Sequence, residues 1–136
     1  MSNIIVGDLA FEPFISYEEI QEQTRIMGRA ISAAYAEKNP VFIGVLNGCF
    51  MFMSDLMKEI DIPCEMSFVK LASYAGTAQG QISQLLGVGM DLTGRDVIIV
   101  EDIIDTGNSL KHTLEALAAL NIGSIAVCSL LMKPTC

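Results

Sequence analysis

Glu101, Asp102 and Asp105 place three carboxylates within five residues, directly after the β-branched run Val97-Ile98-Ile99-Val100. The small-residue turn Thr106-Gly107-Asn108-Ser109 follows, and a helix-forming segment opens at Leu110. A strand apolar on both faces belongs in a buried parallel sheet, and such sheets bind ligands at the carboxyl ends of their strands. The turn brings the free backbone N–H groups of a helix start to the same place, which suits a phosphate. Carboxylates and anion donors side by side are reconciled by one ligand, a sugar phosphate. The phosphate takes the N–H groups, while the carboxylates accept bonds from sugar hydroxyls and hold a divalent cation. The competing reading is an acidic turn that caps a helix, since Asp and Ser are common caps.

Residues 101–109, Glu-Asp-Ile-Ile-Asp-Thr-Gly-Asn-Ser, resemble the phosphoribosyl pyrophosphate motif of the type I phosphoribosyltransferases, and more narrowly that of the hypoxanthine-guanine phosphoribosyltransferases. Two other segments carry the same resemblance. Val45-Leu46-Asn47-Gly48-Cys49-Phe50-Met51-Phe52 is similar to that family's pyrophosphate loop, and Ser73-Tyr74 with the Gly-rich stretch after it is similar to the flexible lid. Order and spacing agree from Tyr17 to Lys133.

The resemblance implies purine salvage, with the 5-phosphoribosyl group passing from phosphoribosyl pyrophosphate to hypoxanthine or guanine. Glu101 and Asp102 match the ribose- and magnesium-associated acidic pair, making Mg2+ the expected cofactor. Asp105 matches the catalytic carboxylate beside the purine's imidazole nitrogen. Thr106, Gly107, Asn108 and Ser109 are expected to wrap the 5-phosphate through backbone N–H groups. Asn108 therefore need not be a particular side chain, whereas a β-carbon at Gly107 could block close approach. Leu46, Asn47 and Gly48 are expected at the pyrophosphate, and Ser73 and Tyr74 in the lid. The family position matching Asn47 is often lysine after a cis peptide; Asn supplies no positive charge, so leaving-group binding leans on magnesium. A non-catalytic sensor of the same donor is the alternative function.

Composition narrows the rest. The chain has 136 residues, 51% hydrophobic and 18% charged, enough for one domain with a sheet buried between helices. A net charge of −8 argues against nucleic acid, whose binding needs basic surface. No apolar stretch is long enough to span a membrane, and residues 1–15 lack the basic start of a signal peptide. The four cysteines show no Cys-x-x-Cys spacing, so zinc and thioredoxin-like chemistry are unsupported, and reduced thiols in the cytoplasm are expected. Cys128 falls in an apolar run and is expected in the core. His112 stands alone in a helix and is assigned to surface or packing. Met51, Met53 and Met57 are expected in core or subunit contacts.

Ser16-Tyr17-Glu18-Glu19 reads as a capping box that opens a helix with Ile20, Met27, Ile31 and Ala34 on its apolar face. Asn39-Pro40 interrupts. A strand over 41–46, a helix over 50–60 and a strand over 65–71 follow. Residues 71–90 carry no charge and four glycines, a composition fitting either a loose hairpin or a lid. A strand over 96–100, a helix over 110–120 stopped by Asn121 and Gly123, and a strand over 124–132 complete the chain. This alternation predicts an α/β fold: a doubly wound, mainly parallel sheet with flanking helices. The resemblance adds a lid hairpin and a dimer or tetramer of identical chains. It also implies a further strand and a hood over the purine beyond Lys133-Pro134. Residues 1–136 are therefore expected to be a single core domain lacking that C-terminal part, and purine preference is not assigned.

Overall fold

The computed structural model describes residues 4–6, 9–11, 15–71, 82–86, 90–104 and 107–132. Two short strands, β1 (Ile4–Val6) and β2 (Leu9–Phe11), pair antiparallel with Val6 opposite Leu9. Sequence reading misses this pair, although Gly7-Asp8 between two apolar triplets is a hairpin signal.

Helix α1 (Tyr17–Ala34) begins at the expected capping box. The Glu19 N–H donates to Ser16 Oγ at 3.1 Å, and the Ser16 N–H donates to Glu19 Oε1 at 3.4 Å. Strand β3 (Val41–Leu46), helix α2 (Phe50–Met57) and strand β4 (Glu65–Leu71) follow, then strand β5 (Ile82–Leu86). Strand β6 (Asp96–Ile104), helix α3 (Asn108–Ala118) and strand β7 (Ser124–Met132) complete the order.

These strands form one five-stranded sheet in the order β5-β4-β3-β6-β7. Strands β4, β3, β6 and β7 are mutually parallel, and β5 joins β4 antiparallel. Alternation along β3 and β6 divides the core by face. Val41, Ile43, Val45, Val97 and Ile99 meet Leu117 of α3, while Phe42, Ile98 and Val100 meet Phe52, Met53 and Leu56 of α2. Met27 and Ile31 of α1 join the second cluster. Helices cover both faces, so the doubly wound architecture holds. Arg95 ties the amino ends of the strands together, donating to the Asn39 carbonyl at 3.0 Å and to the Glu65 carboxylate at 2.7 Å.

Several element boundaries differ from expectation. Strand β6 runs to Ile104 instead of ending at Val100, because β7 keeps pairing with it: Glu101 opposes Ser129 and Ile104 opposes Met132. A neighbouring ladder extends a strand past the point where its composition turns polar. Helix α3 starts at Asn108 rather than Leu110, and α2 ends at Met57 rather than Ile60. The expected lid falls largely on residues 72–81 and 87–89, outside the described residues. Its described part, β5, is an edge strand of the main sheet.

Candidate active site

Among the described residues, the candidates Leu46, Asn47, Gly48, Glu101 and Asp102 lie at the carboxyl ends of β3 and β6, interior strands of the sheet. Because β6 includes Glu101 and Asp102, the two carboxylates leave opposite faces of the strand. Glu101 continues the Val97–Ile99 side, which meets α3, and Asp102 continues the Ile98–Val100 side, which meets α2. The acidic pair therefore straddles the strand end instead of forming one cluster in a loop.

Glu101 is only 8% exposed, and its Oε1 is buried with no hydrogen-bond partner among the described residues. Burial, and then the charge of Asp102, push its carboxyl up to about 7. Such a group takes up a proton in the free protein and gives it up to a cation. Asp102 Oδ1 accepts the Ile103 N–H at 2.8 Å.

The turn between β3 and α2 lies against Asp102. The Leu46–Asn47 peptide is cis, as the resemblance implies for this position. A Cβ on Gly48 would stand 2.8 Å from Asp102 Oδ1, so the absence of a side chain lets the turn and the carboxylate share this space. Cys49 is fully buried behind the turn, and its thiol is pushed up to about 11 by burial and then by the charges of Glu101 and Asp102. It stays protonated and acts by packing. A Cβ on Gly44 would come within 2.8 Å of Cys49 Sγ and 3.0 Å of the Phe68 ring. Sequence reading overlooks Gly44 and Cys49; the available signal is a glycine inside an apolar strand, which marks close approach.

Gly107 precedes α3 with φ +85, a left-handed conformation suited to glycine. A Cβ there would meet nothing within 4 Å, so the backbone angle, not crowding within the chain, is what requires glycine. Asn108 and Ser109 are the first residues of α3, where N–H groups are free to face an anion. Asp105, Thr106, Ser73 and Tyr74 lie outside the described residues. His112 is half-buried within α3. Cys128 is half-buried rather than fully in the core, with Sγ 3.7 Å from Met27 Sδ.

A divalent cation fits this arrangement in part. The orphaned Glu101 oxygen and the Asp102 carboxylate are suitable hard donors, yet the described residues hold no group of three or more candidate ligands. The remaining ligands would come from a bound substrate and water. Among the described residues, no helix is long and apolar enough to cross a membrane.

Comparison with known proteins identifies the family and the fold. The phosphoribosyl transferase domain family model matches residues 16–136. The chain is 40% identical over 121 residues to the hypoxanthine-guanine phosphoribosyltransferase of Streptococcus agalactiae serotype V, covering 88% of this chain and 67% of that protein. It is 39% identical over 122 residues to the bifunctional protein TilS/HprT of Listeria innocua, covering 88% of this chain but only 19% of that longer protein. The crystal structure of a hypoxanthine phosphoribosyltransferase from Staphylococcus aureus superposes with a TM-score of 0.81 at 35% identity, covering 91% of this chain and 68% of that one.

Proposed function

Because the chain belongs to the phosphoribosyl transferase family, in its hypoxanthine-guanine group, we propose that it serves purine salvage. It transfers the 5-phosphoribosyl group of phosphoribosyl pyrophosphate to hypoxanthine or guanine, giving IMP or GMP and pyrophosphate. The observation that carries this reading is the buried Glu101 oxygen, without a hydrogen-bond partner among the described residues, beside Asp102 at the end of a central parallel strand. An unpaired buried carboxylate destabilises the free protein, and a cation with its sugar-phosphate ligands supplies the missing contact.

Glu101 and Asp102 would hold Mg2+ and accept hydrogen bonds from the ribose hydroxyls. Magnesium, when bound, neutralises charge on the departing pyrophosphate. The purine nitrogen gives its electron pair to the anomeric carbon as the bond from that carbon to pyrophosphate breaks, and that pair leaves with pyrophosphate. Asp105 takes the ring proton from the purine. The carboxylates favour the positive charge that develops on the sugar. Leu46, Asn47 and Gly48 line the leaving group, while Thr106, Gly107, Asn108 and Ser109 offer N–H groups to the 5-phosphate. Ser73 and Tyr74 are assigned to the donor by the resemblance alone.

A non-catalytic sensor receives no support from the relatives, which are named as transferases. The proposal includes a cytoplasmic chain that works as a single core domain within a dimer or tetramer. The exposed Phe50 and Met51 at the start of α2 support subunit contact.

Incubating the chain with donor, magnesium and each purine, then separating nucleotide from base, tests the reading. IMP or GMP is the expected product. The double variant Glu101→Gln, Asp102→Asn is expected to lose magnesium-dependent donor affinity. A folded chain that neither binds donor nor forms nucleotide overturns the proposal.

A further inference from the structure

Lys70 lies near the end of β4, and its register partner on β3 is Leu46, the residue before the Asn47-Gly48 turn. Partners in a parallel pair face the same side of the sheet. Leu46 and Phe68 both pack on the cluster around Phe42 and Cys49, so Lys70, two residues beyond Phe68, stands on that same α2-covered face. The β3–β6 pairing ends with Gly44 opposite Val100, and beyond it the turn after Leu46 lies against Asp102, which a Cβ on Gly48 would approach to 2.8 Å. Lys70 and Leu46 thus stand side by side at the carboxyl end of the sheet, next to the turn that lies against Asp102. With strands about 4.8 Å apart, the flexible four-carbon stem of Lys70 can cross Leu46 and reach the turn.

The turn lacks a positive charge of its own. Asn47 and Gly48 are neutral, and residues 101–109 contain three carboxylates and neither Lys nor Arg. Four other basic residues among those described stand elsewhere. Lys111 is on α3, which packs against the opposite face through Leu110, Leu114 and Leu117. Lys38 and Arg95 precede β3 and β6 at the amino end of the sheet, and Lys58 follows α2 and pairs with Asp55 at 3.9 Å. Lys70 is exposed and takes part in none of the ion pairs among the described residues.

We propose that Lys70 binds the pyrophosphate group of the donor at the Asn47-Gly48 turn and supplies the cation that the turn lacks. The assignment rests on the transferase reading above. The ammonium makes charge-assisted hydrogen bonds to pyrophosphate oxygens.

Calorimetric titration of the full chain with magnesium pyrophosphate and with ribose 5-phosphate tests it. Lys70→Gln is expected to weaken pyrophosphate binding about tenfold. Lys70→Arg is expected to retain it, and ribose 5-phosphate affinity is expected to be the same in all three proteins. Added salt should weaken pyrophosphate binding more steeply in the unaltered protein than in Lys70→Gln, because screening acts on the removed charge. Equal pyrophosphate affinity in the unaltered chain and Lys70→Gln overturns the assignment while leaving the transferase reading intact. Equal loss of both ligands also overturns it, since it marks a structural effect. Failure of the unaltered chain to bind donor removes the transferase reading and the Lys70 assignment together.

Discussion

Glu101 concentrates the physical tension of the site. Its carboxyl is pushed up to about 7 from an ordinary value of 4.5, so the folded free protein holds a proton that the unfolded chain releases. Stability associated with that proton is fully present below about pH 4.5 and is lost as pH rises through about 7. Thermal melting of the metal-free chain should therefore show a falling midpoint across that window, flattened in Glu101→Gln. Magnesium with donor should offset the fall, since a cation favours the ionised carboxylate. Asp105 invites a different measurement. If it takes the purine's proton, Asp105→Asn should lower turnover about a hundredfold or more while donor affinity changes little. Unchanged turnover would remove Asp105 from the chemistry.

The turn between β3 and α2 is built by interlocking, and its behaviour belongs to the elements it joins. Gly44 leaves room for the buried Cys49 thiol, and Gly48 leaves room for the Asp102 carboxylate. Gly44→Ala should cost about 1–3 kcal/mol by overpacking and shift the start of α2 relative to β6. Most of the damage is expected to pass through Cys49, because Phe68 borders an open hollow of about 520 Å³ with Phe50, Met53 and Met57, and has space to move. Adding Cys49→Ala to Gly44→Ala should then restore much of the stability in denaturant unfolding. If the second substitution only adds to the loss, the Gly44–Cys49 contact does not set the turn. Gly107 works through backbone angle instead: with φ +85, Gly107→Ala should destabilise by about 1–2 kcal/mol even though a Cβ has space.

At the scale of the whole molecule, ligand and metal act through mass action. A donor that binds only the folded chain, present at about 100 times its dissociation constant, adds about 2.7 kcal/mol of stability. The accompanying rise in melting midpoint should disappear when magnesium is chelated, if the two carboxylates hold donor through the cation. A rise that survives chelation would assign donor binding to groups other than the metal, the N–H groups of the α3 turn and Lys70.

Much of the architecture was legible before any tertiary contact was known. The Ser16–Glu19 box, the strand from Val41 to Leu46 and the strand from Ser124 to Met132 stand where local pattern puts them, because capping and continuous burial are written in neighbouring residues. The acidic run, the small-residue turn and the sheet's parallel winding were readable for the same reason. Tertiary structure alone decided that β6 continues through Glu101 and Asp102, since that extension depends on hydrogen bonds to β7, distant in sequence. It also decided that Gly48 meets Asp102, that Gly44 makes room for Cys49, and that Lys70 shares a row with Leu46. Those relations arise from strand register and close packing between separate elements, which no local spacing encodes.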